Sequence, residues 1–169
     1  SEISSYFVEA KTMTIEGDIK IYSKKDMHFS YRHSTFSADE ILIEATFKCK
    51  KGNPNKILKD RKQASQGRKS TQPLKFRSAG SIFKNPSNNL AAGYLIDQAG
   101  LKGTKFGGAL ISDKHANFIV NLGNATAKDV FHLIKIAKQK VAEKFNINLE
   151  LEVKLIGFPK IMTQDIGYA

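Results

Sequence analysis

A chain of 169 residues, 41% hydrophobic and 25% charged, has the size and composition of one globular domain or two small ones, which excludes collagen-like, disulfide-scaffold and wholly disordered classes. Its single cysteine, Cys49, makes neither an intrachain disulfide nor a zinc site by itself. No apolar run approaches the roughly 18 residues of a membrane span, and SEISSYFVEA lacks an export signal, so a cytoplasmic, non-membrane protein is expected. The net charge of +11 is concentrated: residues 51–84 carry ten basic side chains against one acidic, residues 1–50 seven against eight.

In chain order, residues 6–50 read as strands of a small antiparallel sheet. YFVEAKTMTI sets Phe7, Glu9 and Lys11 against Tyr6, Val8 and Ala10; GDIKIYS follows a turn at Gly17-Asp18; ILIEATFKCK alternates again from Ile41. PNKILKDRKQASQG then predicts a basic helix that opens at Pro54, has Ile57, Leu58 and Ala64 as sparse apolar contacts and stops at Gly67. On charge alone this segment fits either a solvated linker or a site for a polyanion. GRKSTQPLKFRSAGSIFKNPSNN has loop chemistry around an apolar step at Ile82-Phe83. The remainder predicts helix, strand, strand, helix, strand in NLAAGYLIDQAG, KFGGALIS, NFIVNL, ATAKDVFHLIKIAKQKVAEKF and LELEVKLIGF, an α+β pattern. Thr126 and Asp129 stand at capping-box spacing before a core face of Val130, Leu133, Ile134, Ala137 and Val141.

Nucleotide triphosphatase, self-contained Rossmann and zinc-enzyme signatures are missing, and His28, His33, His115 and His132 are scattered, so no metal site is expected. Three polar segments carry the chemistry: YRHSTF at 31–36, SAGSIFKNP at 78–86 and LELEV at 149–153. Together with AAGYLIDQAGLKG at 91–103, GGALISDKHANFIVNLGNAT at 107–126 and the terminal LEVKLIGF, they resemble the UDP-N-acetylenolpyruvoylglucosamine reductase family over nearly the whole chain.

The resemblance implies an α+β fold in which residues 1–50 are the remainder of a two-lobed FAD-binding domain. Residues 51–71 would be the basic linker helix and loop, 72–146 the substrate-binding domain, and 147–169 a strand returning to the active site and a tail. It implies that NADPH reduces a bound FAD, which delivers hydride to the enolpyruvyl group of UDP-N-acetylglucosamine enolpyruvate. The glycine-rich flavin pyrophosphate loop of the family does not appear, so a missing N-terminal lobe is an expected partner.

Among the residues, the resemblance selects Arg32, Ser81 and Glu152 as catalytic. Hydride addition to the β-carbon builds negative charge on the substrate carboxylate, and a guanidinium such as that of Arg32 grips a carboxylate with two parallel hydrogen bonds. Ser81 is implied as the general acid for the α-carbon, with Gly80 permitting close backbone approach. Glu150 and Glu152 share one face of a strand, and the resemblance picks Glu152. Tyr31 is implied beside the flavin, Asn85 and His115 beside the substrate, and Lys75 and Arg77 beside the diphosphate. Two other readings stand next to this one: a catalytically silent UDP-sugar-binding remnant, and a basic nucleic-acid module. RNP-like aromatics and zinc-finger spacing are absent, which ranks nucleic acid last.

Overall fold

The computed structural model describes residues 2–164, 166 and 167; Ser1 and, at the end of the expected tail, Asp165, Tyr168 and Ala169 lie outside the described residues. The chain divides into two compact units, the first ending at Leu58 and the second beginning at Lys59. Among the described residues no helix is long and apolar enough to cross a membrane.

The first unit is built on an antiparallel sheet of β1 (Phe7–Thr14), β2 (Ile19–Ser23) and β5 (Glu40–Phe47), in the order β2-β1-β5. The expected antiparallel pairing is present, but the expected alternation is broken. Phe7 faces Phe47 while Glu9 faces Thr46, so Val8 is an extra residue, and a second shift follows between Lys11 and Thr12. The extra residue at Val8 lets Phe7 share the inner face with Ala10 and Thr12, so neither alternating row is buried as a whole. Phe7 packs edge-on against Phe29 at 5.3 Å and Phe47 at 6.2 Å. The small core joins Phe7, Ala10 and Met27.

The sheet is stapled by one carboxylate. Glu40 accepts from Thr12 Oγ1 at 2.8 Å, Lys20 Nζ at 2.7 Å and Tyr22 OH at 2.9 Å, joining all three strands with a side chain only 3% exposed. A covered carboxylate is stable only when its lone pairs are satisfied and its charge is countered, and here both conditions are met.

Helix α1 (Pro54–Thr71) begins where Pro54 predicts but continues through Gly67, and none of its residues is buried. One interior glycine costs only about 1 kcal/mol relative to alanine, too little to end a helix. The stop comes from Pro73, which restricts Gln72 before it, while the Ser70 and Thr71 hydroxyls donate to Gly67 O at 2.8 and 2.9 Å. Ile57 and Leu58, expected as contacts, are 54% and 59% exposed.

The second unit carries a four-stranded antiparallel sheet, order β6-β9-β8-β7, made of β6 (Arg77–Ser81), β7 (Lys105–Phe106), β8 (Ala109–Ile111) and β9 (Phe118–Asn121). Helix α3 (Ala127–Phe145) packs on β7 and β8 and against α2 (Ala92–Gln98). The capping box forms as its spacing predicts: Asp129 N–H donates to Thr126 Oγ1 at 3.2 Å and Thr126 N–H to Asp129 Oδ2 at 2.9 Å. Phe131, Leu133, Ile134, Ala137 and Val141 are buried on the α3 face, in a core completed by Phe83, Leu95, Ile111 and Leu149. Two expectations change. The segment around SAGS, expected as loop, is strand β6, and KFGGALIS divides into β7 and β8 at its glycine pair.

Lys20, then the hydroxyls of Thr12 and Tyr22, hold the Glu40 carboxyl below its ordinary value of 4.5. Such a group stabilises the fold fully above the unfolded-state value, and that contribution is lost as pH falls through the lower folded-state value. Amide exchange across β1 should therefore accelerate as pH is lowered through this window, after correction for intrinsic rates, and Glu40→Gln should flatten that dependence while raising exchange at neutral pH.

Candidate active site

Ser81 closes β6, and the strand delivers it through a bulge. Ser78 faces Val120 but Ser81 faces Phe118, so three steps along β6 match two along β9. The extra residue is accommodated at Gly80, whose φ of +83° is left-handed. A Cβ there would meet nothing within 4 Å, so glycine is required by backbone conformation and not by space. The inserted residue shifts the alternation. Ser81 comes out half-buried at the strand end, while Ile82 and Phe83 enter the core at 1% exposure each.

Beyond Ser81 the chain is held on both sides. On one side Glu152 and Val153 both donate their N–H to Ile82 O, at 2.8 and 3.4 Å, and Lys84 N–H donates to Glu150 O at 2.9 Å around an antiparallel bridge of Phe83 with Leu151. Two successive donors on one carbonyl are the hydrogen-bond pattern of a bulge, and Glu152 sits at a bend. The returning strand expected at LELEV is thus a single bridge with flanking hydrogen bonds. Its two glutamates differ: Glu150 is exposed and pairs with Lys84 at 3.2 Å, whereas Glu152 is half-buried with its backbone opposite Ile82, the neighbour of Ser81.

On the other side stands Asn117, 4% exposed. Its Oδ1 accepts from Phe83 N–H at 2.9 Å, its Nδ2 donates to Phe83 O at 2.8 Å, and its carbonyl accepts from Ile82 N–H at 2.9 Å. Asn117 N–H donates to His115 Nδ1 at 3.2 Å. The His115 ring stands edge-on to Phe118 at 4.9 Å and close to α2, where a Cβ on Gly93 would come within 3.0 Å of its Cε1. Burial, and to a smaller degree the charge of Lys102, outweigh a hydrogen bond to the residue's own backbone and push the imidazole below its usual range, which favours its neutral form. Lys114, next to it, donates to Lys69 O at 2.6 Å and ties this loop to the basic end of α1.

The remaining candidates are placed differently. Asn85 Oδ1 accepts from Ala92 N–H at 3.1 Å, engaging its carbonyl end with the start of α2. Lys75 and Arg77 line separate grooves, Lys75 with Leu74 and Lys114, Arg77 with Ile119 and Thr126. In the first unit, Tyr31 and Arg32 are the two-residue loop between β3 (Phe29–Ser30) and β4 (His33–Ser34). Arg32 has a φ of +56°, rare for a side chain of its size, and its guanidinium lies 4.8 Å from the Tyr31 ring centroid. Both residues line an open cavity of about 590 Å³ walled by Phe7, Phe29, Phe36 and Phe47. The cavity wall is thus largely aromatic, with the Arg32 cation among its lining residues. Asn117 and Gly93 were not legible as site residues. The only trace was a lone polar residue inside the apolar run ANFIV.

The fold defines an α+β domain in which the residues that follow Ser81 are tied to the backbone of Glu152 on one side and, through Asn117, to the His115 ring on the other. The profile of the UDP-N-acetylenolpyruvoylglucosamine reductase C-terminal domain matches residues 72–156, and the chain belongs to that family. It is 43% identical over 159 residues to the UDP-N-acetylenolpyruvoylglucosamine reductase of Bacillus pumilus, covering 93% of this chain and 52% of the relative. It is 44% identical over 157 residues to that of Lachnoclostridium phytofermentans, covering 92% and 50%. The crystal structure of UDP-N-acetylenolpyruvylglucosamine reductase from Thermus caldophilus superposes with a TM-score of 0.76 at 37% identity, over 89% of this chain and 53% of that one. The chain thus spans about half the length of the relatives it matches.

Because space is open around Gly80, Gly80→Ala should cost only the left-handed backbone penalty, about 1–2 kcal/mol in chemical denaturation. The amide resonances of Ser81 and Ile82 should shift while those of α3 stay in place.

Proposed function

We propose that this chain acts as the C-terminal part of a flavin-dependent reductase that converts UDP-N-acetylglucosamine enolpyruvate to UDP-N-acetylmuramate. The observation that carries the reading is the pairing of 82–84 with 150–153, which sets the backbone of Glu152 opposite the neighbour of Ser81 in a chain of this family. FAD, when bound and reduced by NADPH, supplies the hydride. Tyr31 and the phenylalanines around the first-unit cavity would hold its ring.

The chain's own residues then divide the work. Arg32 takes the substrate carboxylate and stabilises the charge that builds there as the β-carbon is reduced. The Ser81 hydroxyl gives its proton to the α-carbon and recovers one from solvent. Glu152 carries the negative charge that polarises this proton transfer. His115 and Asn85 contact the substrate, and Lys75 and Arg77, with the rest of the basic block, neutralise its diphosphate.

The test is stopped-flow measurement of the two half-reactions in the enzyme completed by a first flavin-binding lobe. Flavin reduction by NADPH precedes substrate chemistry, so Ser81→Ala should leave it almost intact and slow reoxidation by the enolpyruvyl substrate by about 10²–10⁴, the usual worth of general acid help. Arg32→Lys, which keeps the charge but not the bidentate geometry, should act on the same step. Substrate binding without any reoxidation in the unmodified protein would establish the silent UDP-sugar-binding reading instead.

A further inference from the structure

Two groups assigned to the substrate, the Ser81 hydroxyl and the His115 imidazole, lie on segments that are remote in sequence, yet one buried residue bonds to both segments. We propose that Asn117 is a positioning residue that fixes the Ser81 strand end and the His115 ring in one rigid unit. This rests on the proposed roles of Ser81 and His115.

Buried backbone N–H and C=O groups must be paired. Strand β9 begins at Phe118, opposite Ser81, and before it the chain turns away through His115, whose carbonyl accepts from Phe118 N–H at 3.0 Å. The N–H and C=O of Phe83, fully buried, therefore lose the backbone partner that a longer β9 would supply. The Asn117 amide takes that place with one acceptor and one donor, at 2.9 and 2.8 Å, in the arrangement of a peptide group. No other side chain of similar size does this. Aspartate accepts but does not donate when ionised, and leucine does neither.

The same residue sets the ring. Because Asn117 N–H donates to His115 Nδ1, the neutral imidazole carries its proton on Nε2 and offers Nε2–H as a donor. Gly93 leaves the ring the room it needs beside α2, and Phe118 supports it edge-on. The ring tautomer and the position of the serine are thus set by the two ends of one residue: the main-chain N–H holds the histidine, and the carbonyl and side-chain amide hold the strand that follows Ser81.

The closing experiment has two arms. In the 169-residue chain, imidazole ¹⁵N shifts should report Nδ1 of His115 as the unprotonated nitrogen, and Asn117→Leu should raise exchange of the Phe83 amide at least tenfold while core amides of α3 keep their protection; Asn117→Asp, which keeps the acceptor and loses the donor, should leave that amide protected and shift the Phe83 carbonyl ¹³C resonance. In the completed enzyme, the same variants should lower kcat for reduction of the enolpyruvyl substrate by about 10², the usual consequence of a misplacement near 1 Å, and raise KM through the released His115 ring, with flavin reduction by NADPH little changed. Added to Ser81→Ala, Asn117→Leu should cause little further loss of kcat, because on that step it acts through the serine, while its effect on KM through His115 should persist.

Full additivity of the two substitutions, or equal losses in both half-reactions, would overturn the proposal and leave Asn117 a stabilising core residue. So would a protonated Nδ1 on His115, unchanged exchange at Phe83 in Asn117→Leu, or an unshifted Phe83 carbonyl in Asn117→Asp, whether or not the enzyme turns over. An inactive unmodified enzyme with the ¹⁵N and exchange results intact would instead count against the proposed function and leave the clamp standing. Where Asn117→Leu fails to fold, Asn117→Asp carries both arms.

Discussion

The strand end at Ser81 depends on the hydrogen bonds that hold residues 82–84 between Asn117 and residues 150–153. Ile82, Phe83 and Asn117 are buried, and an unmet buried donor or acceptor costs about 1–3 kcal/mol, so breaking their pairing destabilises far more than a surface hydrogen bond would. The contacts span 34 residues on one side and 66 on the other. They cannot form until the core of Ile82, Phe83, Ile111, Leu133 and Leu149 has brought the segments together. Polar geometry at this strand end is therefore a consequence of apolar packing beneath it.

Two bulges then aim the side chains. A perfectly alternating β6 would send Ser81 to the face opposite the one it takes. The left-handed Gly80 absorbs the inserted residue without a steric penalty. At the facing segment, the shared carbonyl of Ile82 bends the chain at Glu152 and separates the environments of two glutamates that a regular strand would treat alike. Both devices trade ladder regularity for side-chain direction, a common use of bulges beside functional groups.

The first unit shows a different use of polar chemistry. Its sheet leaves Ile21, Ile41, Leu42 and Ile43 half exposed or more, so apolar burial alone contributes little, and the fully satisfied Glu40 carboxylate ties the three strands together. The same unit holds Arg32 in a left-handed turn position where glycine or asparagine is favoured. Backbone strain at a non-glycine residue persists only where surrounding structure over-determines it, and here it falls on a residue assigned to the substrate carboxylate.

The α+β class, the antiparallel first sheet, the start of α1 and the capping box and core face of α3 were legible because each follows from local rules: period, caps and the geometry of proline. The family was legible because its segments run in order along the chain. The register of β1, the strand character of β6, the extension of α1 past Gly67 and the reduction of LELEV to a bridge were not, because bulges and pairing partners are set by residues far away in sequence. The candidates at 32, 81, 115 and 152 were legible only through the resemblance of their segments to the family. Only the tertiary structure decided that Asn117, a single polar residue in an apolar run, meets the backbone of Phe83 and the ring of His115, since a buried amide acquires its role from the unpaired groups that folding places opposite it.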